Sequence, residues 1–95
     1  MTKQQAKKPE ARIVIYSEED TKLREIVDFA ADMADAARSL PKARMFVVEY
    51  YGLVFVFAKG IAQAKQALKD EATNDWDMPS YEIRKLVAEL GEVEA

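Results

Sequence analysis

The chain contains neither cysteine nor histidine. Without cysteine there is no disulfide, no thiolate nucleophile and no sulfur-ligated zinc site. Without histidine there is no side chain that ordinarily exchanges a proton near neutral pH, which removes the Ser-His and Cys-His catalytic pairs. Glycine is scarce, and Gly52, Gly60 and Gly91 stand too far apart to form a phosphate-cradling loop. No apolar run reaches the roughly 18–20 residues needed to cross a bilayer. The N-terminal MTKQQAKKPE lacks the apolar segment of a signal peptide. These absences lead us to expect a cytoplasmic protein that is not an enzyme, carries no cofactor or metal and does not enter membranes. Carboxylates alone could still ligate a metal, but only if Glu25, Asp28 or Asp32 converged with Glu49.

What is present belongs to a folded domain. Apolar residues make up 49% and charged residues 33% of the chain, so there is enough apolar surface to offset ordering. Ninety-five residues form one domain that buries only roughly 60–65% of its unfolded surface, which leaves little material for a separate catalytic lobe. The net charge of −3 does not favour phosphate backbones. Lys3, Lys7 and Lys8 would bind nucleic acid only non-specifically, so direct nucleic-acid binding is the weakest expectation.

Residues 1–10 are polar, end at Pro9 and read as a flexible N-terminal arm; residues 11–95 read as a single α+β domain. Arg12 to Tyr16 is a short β-branched run, the first predicted strand. Ser17 followed by three acids predicts a helix start. Leu23, Ile26, Val27, Ala30, Met33, Ala34, Ala37 and Leu40 then recur at helical spacing up to Pro41. Met45 to Ala58, interrupted only by Glu49 and folded back at Tyr51-Gly52, predicts a hairpin. A weaker helix follows with Ile61, Ala64, Ala67 and Leu68. After a polar break, Pro79 or Ser80 opens a last helix with Ile83, Leu86, Val87 and Leu90 on one face. The predicted order is strand, helix, strand, strand, helix, helix: an α+β plan of a three-stranded sheet with helices packed on one face.

The hairpin poses the main question. A two-residue loop would pair Tyr50 with Leu53, Val48 with Phe55 and Phe46 with Phe57, giving one aromatic side. The other side would carry Met45, Val47, Val54 and Val56, apolar as well; either the short C-terminal helix folds over it in a three-layer monomer, or these four form a candidate self-association surface for a homodimer. On the first helix Glu18, Glu25, Asp28, Asp32 and Asp35 fall within an arc of about 100°, nearly opposite the apolar stripe. Like charges four residues apart cost a few tenths of a kcal/mol, so helix stability alone would not select this ridge. A row of carboxylates can stand in for phosphates on a basic groove. Tyr51 at the hairpin tip and Trp76, set among Asp70, Glu71, Asp75 and Asp77, are further partner-binding candidates, since aromatics are enriched where proteins meet.

Two functional expectations follow. The first is a non-catalytic binding protein, a regulator or inhibitor that occludes a site on a larger protein, a nucleic-acid-handling one being one option, through an acidic helix face and the apolar hairpin, with Glu25, Asp28, Asp32, Asp35, Tyr51 and Trp76 as the contact residues. In being short and acidic without a cofactor motif, the chain is similar to small phage or plasmid proteins that block host machinery, such as anti-CRISPR inhibitors. That likeness is one of size and composition and assigns no residue a role. The alternative is a homodimeric structural or accessory subunit joined through the hairpin, its acidic face serving solubility.

Overall fold

A computed structural model describes residues 11–17, 19 and 22–93. The expected N-terminal arm and Glu18 therefore lie outside the described residues. The elements are β1 (Arg12–Ser17), α1 (Leu23–Ser39), β2 (Arg44–Glu49), β3 (Gly52–Ala58), α2 (Ile61–Asn74), α3 (Ser80–Glu89) and β4 (Gly91–Glu92). The class is α+β, with three helices on an antiparallel sheet of order β1-β3-β2-β4. The sheet has four strands rather than three. β4 is two residues long and pairs Gly91 with Val47 and Glu92 with Phe46. The Val93 N–H extends it by donating to the Met45 carbonyl at 2.8 Å.

The helices cover both faces of the sheet rather than one. On one face Phe46, Val48, Val54, Val56 and Ala58 pack with Ala64 and Leu68 of α2 and with Leu86 and Leu90 at α3 and its end. On the other, Val14 and Phe57 pack with Ala36 of α1, joined by Phe29, Met33 and Leu40. Phe46, Val54, Val56 and Leu68 are the largest fully buried side chains. Each contributes about 1.5–3 kcal/mol of burial, so the α2/α3 side holds most of the core.

The hairpin register differs by one residue from the expected one. Glu49 pairs with Leu53, Val48 with Val54, Val47 with Phe55, Phe46 with Val56 and Met45 with Phe57. Three residues make the tip. The Tyr50 N–H donates to the Gly52 carbonyl at 3.2 Å, while Tyr51 (φ 53°) and Gly52 (φ 130°) adopt left-handed backbone. Because side chains alternate with a period of two, a one-residue slip exchanges the facing partners. Val54 and Val56 therefore lie beneath α2 and α3, and Met45 and Val47 lie on the α1 face with Phe55 and Phe57. The four residues expected to form one self-association surface are split between opposite faces, and two of them are fully buried.

The start of α1 is also displaced. Ser17 ends β1, and its hydroxyl accepts the Glu19 N–H at 3.2 Å instead of opening the helix. The helix begins at Leu23, where the Glu25 carboxylate accepts the Lys22 N–H at 3.1 Å and satisfies one of the donors a helix start leaves free.

Candidate interaction surfaces

Helix α1 carries two unlike flanks. At 100° per residue, Phe29, Met33, Ala36 and Leu40 form the seam that meets the sheet. Phe29 holds it there, with its ring 4.9 Å from that of Tyr16 and 5.7 Å from that of Phe55. Glu25, Asp28, Asp32 and Asp35 lie to one side of this seam. Leu23, Ile26, Val27, Ala30, Ala34 and Ala37 lie to the other.

The acidic flank is partly committed to the fold. Glu25 caps its own helix, as above. Asp35 accepts from Arg12 of β1 at 3.2 Å and from Arg38 at 3.4 Å. Arg12 also donates to Ser39 Oγ at 3.3 Å, and that hydroxyl donates to the Asp35 carbonyl at 2.9 Å, so the end of α1 is tied to β1. Asp28 and Asp32 remain. Both are exposed, one turn apart, and neither has a hydrogen bond or ion pair among the described residues.

The opposite flank was not singled out from the sequence. Leu23 is 75% exposed, Val27 55% and Ile26 41%, and Leu53 on the same face of the sheet is 39% exposed. Ala30, Ala34 and Ala37 are exposed as well. The expected stripe merged these residues with the true seam and left out Phe29 and Ala36. Including those two widens the apolar arc to roughly 180°, well beyond the approximately 100° needed to face one layer, and that width was the available signal.

The third surface is an aromatic corner where the hairpin tip meets the α2–α3 connection. The rings of Tyr50 and Trp76 stack at 5.7 Å with an interplanar angle of 2°, and Tyr51 meets Tyr50 edge-on at 4.7 Å. Tyr50 and Trp76 are half-buried and pack on the α2/α3 core; Tyr51 is 72% exposed. A cleft of about 250 Å³ opens beside them, floored by Ile15 and Val54. Burial raises the Tyr50 phenol above its ordinary value, with the negative charge of Glu82 adding to it. Glu71 is likewise raised, first by desolvation and then by Asp75, while a hydrogen bond from Trp76 opposes the shift. The sequence places Tyr51 and Trp76 together as candidates, and they share this corner. The α1 carboxylates do not approach it: α1 lies on the far side of the sheet.

At the far edge of the sheet Arg44 and Glu92 form a two-pronged pair, Nε to Oε2 at 2.7 Å. The hydrogen bond from Arg44 holds the Glu92 carboxyl below its usual range, and Glu92 in turn raises Arg44. The pair locks β4 to β2. Among the described residues no three acidic side chains converge as a metal site, and no helix is long and apolar enough to cross a membrane. Comparison with protein-family models, with curated proteins and with solved structures returns no match.

Proposed function

We propose that this chain is a non-catalytic binding protein, a small regulator or inhibitor that covers a basic site on a larger protein. Asp28 and Asp32 carry the reading. They carry like charge one turn apart, neither has an ion pair or hydrogen bond among the described residues, and they stand exposed on a helix anchored to the sheet by Phe29 and by the Arg12–Asp35 pair. Carboxylates fixed on a rigid element present a preformed negative strip, which speeds encounter with a basic groove and sets its register. The lack of histidine and cysteine throughout the chain supports a role in binding rather than in chemistry.

The test is affinity capture followed by titration of the purified partner. Asp28→Asn with Asp32→Asn removes two charges while leaving helix propensity nearly unchanged. With exposed pairs worth about 0.2–1 kcal/mol each, the double variant is expected to bind about 2- to 30-fold more weakly, with a shallower salt dependence. Equal affinity of the variant and wild type at low salt would refute the acidic flank as the contact.

A further inference from the structure

We infer that a second copy of this chain docks on the apolar flank of α1 and on the bare strip of sheet beside it, forming a two-fold dimer. The inference goes beyond the occlusion reading and rests on a different flank of the helix.

Helix α1 packs over β1, and its seam reaches β3 through Phe29 and Phe55. The α1 face of β2 and β4 is covered only in part: Met45 packs against the α1-side cluster, while half-buried Val47 and exposed Gly91 lie beyond it. Val47, on that face, belongs to neither core cluster. Gly91, directly opposite Val47, would meet nothing within 4 Å if it carried a Cβ. Beside this flat strip rises the flank of Leu23, Ile26, Val27, Ala30, Ala34 and Ala37. Each copy thus presents a helical ridge and, next to it, a floor without a ridge. A two-fold axis sets each ridge on the other copy's floor and fills both vacancies at once. The alanines allow the helix to approach closely where the floor is Gly91.

Area and charge fit this occupant. The 17 residues of α1 span about 25 Å. Half a helix width plus two strands gives a strip about 15 Å wide, so two copies bury roughly 750 Å², below the range of standard interfaces and in that of a weak, transient dimer. Several large aliphatic side chains exposed in one place are uncommon on a monomer. Arg38, which also meets Asp35 at 3.4 Å, edges the ridge and Glu49 edges the floor, so self-docking brings opposite signs together. Asp28 and Asp32 point away from the interface, and the net negative charge does not concentrate there.

Sedimentation equilibrium from about 5 to about 500 µM covers the dissociation constants expected of an interface this small. Wild type is expected to rise toward twice the monomer mass. Val27→Glu on the ridge and Gly91→Glu on the floor are each expected to weaken association at least about tenfold, the effect of a charge buried without a partner. Lys69→Ala, exposed on α2 across the sheet, should behave as wild type. Val27 is exposed and Gly91 has open space, so circular dichroism should show both interface variants folded. A wild type that stays monomeric throughout would overturn the inference, whatever foreign protein or lipid it binds. So would a dimer that survives either interface substitution.

Discussion

Tyr51 occupies a backbone position that suits almost any residue less well than glycine or asparagine. Its φ of 53° brings Cβ against the following carbonyl, at a cost of about 1–2 kcal/mol that asparagine partly escapes by local hydrogen bonding. Against this, its ring meets Tyr50 edge-on at 4.7 Å, an arrangement worth about 0.5–1.5 kcal/mol when well enclosed. Because Tyr51 is largely exposed, the lower end of that range applies. Tyr51→Asn relieves the strain and loses the ring contact, so it is expected to stabilise by about 0.5 kcal/mol. It also creates Asn-Gly, the pair that tight hairpins favour. Tyr51→Ala loses the same contact but keeps the strain and should destabilise by about 0.5–1 kcal/mol. At about 4–8 °C per kcal/mol for a domain of this size, the Asn variant should melt roughly 5–10 °C above the Ala variant, with wild type between them. Urea unfolding followed by circular dichroism measures the order directly, provided m is unchanged. If the Asn and Ala variants unfold at the same denaturant concentration, strain at the tip is not what governs this position. A tyrosine kept at a strained, exposed tip also fits a contact residue better than a structural one.

Two other perturbations test the core and the acidic edge of α2. Leu68 is fully buried between α2 and the sheet, so Leu68→Ala should cost about 2–5 kcal/mol of a total near 5–15, whereas Lys69→Ala on the outer side should change stability by less than about 0.5. A Leu68→Ala loss below about 1 kcal/mol would mean that α2 does not pack as described. Glu71 has its pKa raised in the folded state, so its contribution is favourable below the unfolded value and is lost as the pH rises through the folded one. At neutral pH the carboxylate therefore opposes folding. Glu71→Gln should melt above wild type at pH 7, with the margin shrinking toward pH 3; a margin that grows on acidification would contradict the assignment.

Much of the plan was legible in the sequence because it rests on periodicity. β1, the three helices and the existence of the hairpin follow from β-branched runs, helical spacing and the stop at Pro41. The register did not follow. It depends on whether the tip holds two residues or three, and a tyrosine in left-handed backbone is not a turn signal, so the facing partners came out exchanged. β4 was hidden for a related reason: two residues have no pattern of their own, and they become a strand only because β2 offers them an edge. The placement of α1 was misread through Phe29 and Ala36, which lie at the centre of its contact with the sheet but were left out of the stripe. On the acidic ridge the angular grouping was legible. That Glu25 is engaged depends on where the helix starts, since it caps the Lys22 N–H locally, and that Asp35 is engaged depends on Arg12, which only the tertiary structure brings near.

The stacking of Trp76 on Tyr50 has a practical consequence for anyone watching this molecule unfold. The chain's single indole reports on the corner where the α2–α3 connection meets the hairpin tip, and α1 lies behind the sheet, out of its sight. Should α1 detach ahead of the rest, Trp76 fluorescence excited selectively would register nothing while the helical signal in the far ultraviolet declined. Two optical probes that disagree would then locate the weak seam of the protein on the α1 side.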